Sequence, residues 1–179
     1  MIKRYRDIVG TPVLHFENGS LLGVIKDVII HPDTGKLEGL WVKPARHLFS
    51  YGVVQSQDIV EWKKNCYLKN EGAIAEAGDL IKIAEILSDG RQILNNRVRT
   101  EEGASLGKVV DVDFDTKQSY LRQLYVEKRF LFLGYDRRIL SYDTIVKVLP
   151  EAIIVKDKTT KEEKAKEPLL SDKQIALDS

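Results

Sequence analysis

The sequence predicts an all-β protein made of two tandem copies of one small barrel, joined by a short linker and followed by a mobile C-terminal tail. Three observations carry this. First, Glu17-Asn18-Gly19-Ser20-Leu21-Leu22-Gly23 returns as Glu101-Glu102-Gly103-Ala104-Ser105-Leu106-Gly107, and an ungapped overlay at an offset of 84 pairs identical residues at ten of 35 positions between Glu17 and Tyr51. Second, both copies continue into short β-branched runs separated by Gly, Pro, Asn and Asp, the pattern of strands and tight turns. Third, the matched pairs are glycines and apolar residues (Gly23/Gly107, Leu37/Leu121, Leu40/Leu124, Val42/Val126), which is what duplication of a folded unit preserves.

In the first copy, Val9 to Phe16 reads as a strand and Glu17 to Ser20 as a hairpin turn, because Asn-Gly tolerates positive φ. Gly23 to Ile30 is a β-branched strand with Asp27 on the opposite face from Val28 and Ile30. His31 to Lys36 is a turn containing Pro32 and Gly35. Leu37 to Lys43 is the next strand, its broken phase at Glu38-Gly39 suggesting a bulge. His47 to Val54 returns as a strand, Ser56 to Ile59 is a turn, and Cys66-Tyr67-Leu68 closes the unit. The second copy follows the same order: a strand at Asn96 to Arg99, Lys108 to Phe114, a turn at Asp115 to Gln118, Tyr120 to Glu127, Arg129 to Tyr135, Arg138 to Leu140, a turn at Ser141 to Asp143, and Ala152 to Lys156. Here Asn95-Asn96 stands opposite Thr11-Pro12, and Ser119 replaces Gly35, so the turn after Phe114 is expected to differ.

These spans set domain boundaries at 1–71, 89–157 and a linker at 72–88, where Asp79 to Ile86 carries apolar residues at helical spacing. Residues 158–179 are dominated by lysines and acids and bury too little apolar surface to offset ordering entropy. Units of this size sit near the lower limit for a self-sufficient core, so pairing the two would bury more.

Composition narrows function. The chain has 179 residues, a 43% apolar fraction and a net charge of +1, so no strong global field draws it to nucleic acid, DNA included, or to an anionic membrane. One cysteine, Cys66, excludes an intramolecular disulfide and a thiolate zinc site, and points to the cytosol. The first residues lack the apolar core of a signal peptide, and no apolar run reaches the length of a membrane span.

The stretches Gly19 to Val28, Gly35 to Val42 and Ser56 to Ile59, with Gly103 to Val112, Leu121 to Val126 and Ser141 to Ile145, resemble the PRC-barrel family. That family includes the cytoplasmic part of the photosynthetic reaction-centre H subunit and the C-terminal half of a ribosome-maturation factor. The resemblance implies a small β-barrel that docks onto proteins or ribonucleoprotein assemblies.

No catalytic, cofactor or metal site emerges. Gly23, Asp27 and Asp58 recur as Gly107, Asp111 and Asp143, and recurrence in both copies reads as shared structure, with the aspartates accepting turn N–H groups. His15, His31 and His47 have no histidine counterparts in the second copy and read as surface or turn residues. Cys66 lies in an apolar strand with no neighbouring base. One segment mixes aromatics with cations as single-strand RNA binders do: Arg122, Tyr125, Lys128, Arg129, Phe130, Phe132, Tyr135, Arg137 and Arg138, with Lys3, Arg4 and Arg6 as an extension. The favoured reading is a barrel strand pair with Phe and Tyr in the core and basic residues on the turns, and the segment is the candidate surface if RNA is a ligand. The leading expectation is a non-catalytic module that binds a protein or ribonucleoprotein, with RNA binding in rRNA processing or ribosome assembly as the alternative. A homodimer and a membrane-peripheral adaptor are further readings.

Overall fold

A computed structural model describes residues 1–46, 51–130 and 134–157. The expectations for His47, for Phe132 and for the tail at 158–179 lie outside the described residues. The chain is mostly β and forms two sheets of matching topology. The first contains β2 (Pro12–His15), β3 (Leu21–Ile30), β4 (Leu37–Pro44), β5 (Gly52–Gln55), β6 (Ile59–Trp62) and β7 (Cys66–Leu68), in the order β5-β4-β3-β2-β7-β6. The second contains β8 (Arg97–Thr100), β9 (Ser105–Asp115), β10 (Tyr120–Phe130), β11 (Gly134–Ser141), β12 (Ile145–Val148) and β13 (Ile153–Val155), in the order β11-β10-β9-β8-β13-β12. In each, one parallel pair, β2 with β7 and β8 with β13, joins the first strand of the unit to its last. Strands β6 and β12 are additions to the sequence reading, which ended those stretches in a turn.

Matched irregularities bend the sheets. The register slips at Leu22 and Leu106, at Lys26 and Val110, at Glu38 and Arg122, and at Val60 and Val146, so each unit carries four bulges at equivalent places. A bulge adds one unpaired residue and sharpens the twist, which lets a six-stranded sheet curl around its own core. The turning points need glycine. A Cβ on Gly23 would meet the Val42 side chain and the Lys43 carbonyl, and one on Gly107, held at φ +123°, would overlap the Glu127 carbonyl. This is why both copies keep Gly there.

Registers also correct the overlay. Val13 pairs with Gly23 as Val98 pairs with Gly107, so ahead of the first hairpin the offset is 85. Asn95-Asn96 therefore matches Gly10-Thr11, and Asn95 adopts Gly10's left-handed backbone, at φ 62° against 87°. Asn is among the few residues that do so cheaply. Further on, Trp41 faces Val53 as Tyr125 faces Ile139, which matches Val53 to Ile139 and Ser56 to Tyr142. Tyr51 and Tyr135 are thus not equivalents, nor are Asp58 and Asp143.

The two units share one core. Ile8, Val13, Ile25, Leu37 and Leu40 of the first form a single apolar cluster with Val98, Val109, Phe114, Leu121 and Leu124 of the second. At the seam, Leu37 N–H donates to the Ser119 carbonyl at 2.8 Å and Leu121 N–H to the Gly35 carbonyl at 2.9 Å. These residues are equivalents, so the contact has twofold character, as in an isologous dimer. Ser119 sits at φ 56° and Gly35 at φ 66°, so the turn after Phe114 keeps its shape, contrary to the sequence expectation. The Tyr142 ring lies where a Cβ on Gly35 would go, whereas the smaller equivalent Ser56 faces the same cavity as Ser119. That difference explains why Ser is tolerated on one side only.

Leading segments cross between units. A short strand β1 (Ile2–Arg4) adds to β9, with Lys3 opposite Phe114, and runs into the one-turn helix α1 (Tyr5–Ile8). The linker forms α2 (Ile81–Asp89), whose Ile83 packs on Ile29 and Val53 of the first sheet. Gly90 at φ 74° ends it, the usual left-handed stop.

Gly107→Ala should destabilise the protein by about 4 kcal/mol, from backbone strain and a forced shift of β10, while Gly103→Ala, in open space, should cost about 1 kcal/mol. Urea unfolding of the two variants measures the difference; equal losses would contradict the close approach of β9 to β10.

Candidate functional site

The segment singled out for RNA lies on β10 and β11, but most of its charges are already engaged. Arg137 Nε donates to Glu127 at 2.7 Å, and Arg138 donates twice to Asp136, at 3.0 and 2.8 Å. Lys128 Nζ donates to the Ser105 carbonyl at 3.0 Å. Tyr125 is held in place: its hydroxyl donates to Asp113 at 2.7 Å and accepts from Arg4 at 2.6 Å, and the Arg4 guanidinium stacks 4.2 Å above its ring. Burial, then the Asp113 carboxylate, raise the Tyr125 phenol above its ordinary pKa. Arg122 and Arg129 remain exposed.

The N-terminal cations turn inward to carboxylates of the other unit. Arg4 Nε reaches Asp113 at 3.2 Å, and Arg6 Nε pairs with Asp111, which also accepts the Arg6 and Val112 backbone N–H groups. Asp111 is 1% exposed, so Arg6 neutralises a buried charge. Sequence reasoning offered Arg4 and Arg6 only as an extension of the candidate RNA surface. Nothing in their spacing signals the partners, which lie more than 100 residues away. The outward acids Asp111 and Asp113 on β9 were the available clue.

Asp27 and Asp111 each accept the N–H of the next residue, at 2.8 and 3.0 Å, beside equivalent bulges. Their environments differ: Asp27 is exposed, near the Tyr5 phenol. Burial, followed by Asp27, pushes Tyr5 up to about 12. A phenol so disposed stays protonated and offers no base. Among the described residues neither the Asp58 nor the Asp143 carboxylate accepts a turn N–H group; hydroxyls donate at these turns, Ser56 Oγ to the Leu37 carbonyl at 2.5 Å and Thr144 Oγ1 to the Ser141 carbonyl at 2.6 Å. His15 Nδ1 and His31 Nδ1 accept the N–H two residues on, both at 3.2 Å, and so cap turns. Cys66 is buried, and desolvation lifts its thiol to about 12. Among the described residues no three His, Cys, Asp or Glu converge on one point, and no helix is long and apolar enough to cross a membrane.

An apolar strip stands out instead on the first unit. Leu14 on β2 lies between Leu21 of β3 and Tyr67 of β7, and Phe16 packs edge-on against Tyr67 with ring centroids 6.4 Å apart. Phe16 is 48% exposed and Leu21 50% exposed. The equivalent places in the second unit hold Arg99, Ser105, Ile154 and Glu101. The fold therefore accepts polar residues here, and the apolar ones in the first unit are not required by the barrel.

The PRC-barrel domain family matches this chain twice, over residues 1–77 and 85–161, and the chain belongs to that family as a tandem protein. PRC-barrel domains are generally non-catalytic protein-interaction modules. No curated protein matches the chain.

Two outcomes test this electrostatic picture. Arg6→Ala should cost about 2–3 kcal/mol by stranding Asp111, and Arg6→Ala with Asp111→Asn should recover part of that loss in denaturant melts. On the alkaline side, Cys66 and Tyr5 both have raised folded pKa values, so their stabilisation is intact below the unfolded values and is lost as pH climbs towards about 12. Melting temperature should fall across pH 9–12, and Cys66→Ala should flatten the lower part of that decline.

Proposed function

We propose that this protein is a non-catalytic docking module that binds a protein partner, alone or within a ribonucleoprotein, through the apolar strip of its first unit. One observation carries the reading: Leu14, Phe16, Leu21 and Tyr67 expose apolar and aromatic surface where the duplicate unit has Arg99, Glu101, Ser105 and Ile154. A contiguous apolar patch rimmed by polar residues is typical of an interface, and aromatic anchors supply much of its energy. His15, Glu17 and Glu61 provide such a rim. The family's general role as an interaction fold supports the same conclusion. The second unit then acts as the brace that completes the shared core. This internal pairing occupies the place a homodimer would fill for a single unit, and a buried, unreactive Cys66 suits a cytosolic setting.

Direct RNA binding is the second reading, favoured by the exposed Arg122 and Arg129. It predicts an affinity that falls steeply with salt and weakens on Arg122→Ala with Arg129→Ala.

The discriminating experiment transplants the second unit's residues. Phe16→Glu with Leu21→Ser should leave the melting temperature within about 2 °C, since these side chains are half-exposed, yet abolish recovery of the partner captured by in-cell crosslinking. Undiminished recovery of the same partner would remove the strip as the contact surface. RNA recovered in its place, and lost with the two arginines, would shift the assignment to β10.

A further inference from the structure

The duplicate units differ at one sheet edge. In the first, β5 is closed by the linker: Val53 N–H donates to the Ala75 carbonyl at 2.8 Å, and Ala75 N–H donates back to Val53 at 3.0 Å. Ile74 beside it is buried in the common core, while Glu76 lies opposite Gly52 and faces solvent. The equivalent edge in the second unit is β11, where Ile139 takes the place of Val53, Leu140 that of Val54 and Arg138 that of Gly52. Among the described residues, strand β11 is the last in its sheet and Ile139 has no main-chain partner on the outer side. Because Ile139 has the phase of Val53, its N–H and C=O point away from β10.

We propose that the β11 edge binds an extended peptide from a partner protein, one that reads aliphatic–small–acidic in the manner of Ile74-Ala75-Glu76. The small residue pairs its main chain with Ile139, as Ala75 does with Val53. The aliphatic residue sits beside Leu140, and the acid faces Arg138. Arg138 spends two donor contacts on Asp136 and has further guanidinium donors to offer. Main-chain pairing supplies affinity, and the flanking side chains supply selection.

Two other occupants fit less well. A second copy adding the same edge in antiparallel fashion about Ile139 would set Arg138 opposite Leu140 of the other copy, with no acid for the arginine to meet. The chain's own continuation places Lys161 at the sixth residue after β13, where the first unit has Ile74 at the sixth residue after β7. A lysine there does not fill an aliphatic site. This edge is on the second unit, away from the apolar strip of the first, so either can fail without the other.

The probe is a peptide with the sequence of residues 71–78, added to the full-length chain. Binding should be saturable by anisotropy and should slow amide exchange at Ile139. N-methylation of the peptide's Ala at the Ala75 position should weaken binding about tenfold or more, as should Ile139→Pro, a change edge strands tolerate. Arg138→Glu should favour a peptide with Lys in place of the acid. Binding indifferent to N-methylation would overturn the proposal even if Ile139→Pro failed to fold. So would an Ile139 amide already protected in the free chain, with a concentration-dependent protection identifying a second copy and a concentration-independent one identifying the chain itself.

Discussion

The pair of reciprocal hydrogen bonds between Gly35–Leu37 and Ser119–Leu121 sets the geometry on which the molecule depends. They bring equivalent turns together with the twofold relation of a closed dimer, and the apolar side chains behind them, Leu37 and Leu121, enter one continuous cluster. Each unit alone has too few residues to bury a core with much surplus. Joined at this seam, they bury both inner faces against each other's ends. The crossed segments follow from the same relation. The chain ahead of β2 lies on the second unit through Arg4 and Arg6, and the chain ahead of β8 lies on the first through Ile83 and through Arg91, which holds Asp33 at 2.5 Å.

Duplication under one architecture also separates what the barrel needs from what it carries. The bulges, the glycines at 23 and 107, and the alternating inward residues recur because the curl of the sheet requires them. The outer surfaces diverge. Ile29 and Trp41 on β3 and β4 are covered by the apolar side of α2, whereas their equivalents Asp113 and Tyr125 are covered by the cation of Arg4. Two solutions, one hydrophobic and one ionic, thus cover the same face of the same fold.

Much of the body was legible in the residues. The repeated turns and β-branched runs place β3, β4, β9 and β10 close to their observed spans, and the phase break at Glu38-Gly39 marks a real bulge. Local rules suffice where partners are near in sequence. They fall short for β1, whose residues Ile-Lys-Arg carry no turn signal and gain their pairing from a strand formed over 100 positions later. The partners of Arg4 and Arg6 were not legible for the same reason, since a cation's spacing in the chain does not reveal which carboxylate it will meet. One-residue changes in hairpin length also escape an ungapped overlay. The hairpin at 15–20 is a residue longer than that at 100–104, and this alone misaligned Asn95 and Asn96. The apolar strip was missed because Leu14, Leu21 and Tyr67 come from three strands and, with Phe16 just past β2, meet only after parallel pairing of β2 with β7.

Strand β1 has a consequence for how the chain is assembled. Residues 2–4 leave the ribosome more than 100 residues ahead of their hydrogen-bonding partners at 113–115. Until then Lys3 and its neighbours have no ladder to join, and Asp111 and Asp113 emerge beside a sheet still lacking its cations. Closing so long a loop is entropically slow, which makes docking of residues 2–6 a natural final step of folding. The segment ahead of β2 thereby works as a latch, fastened only when both halves have been built.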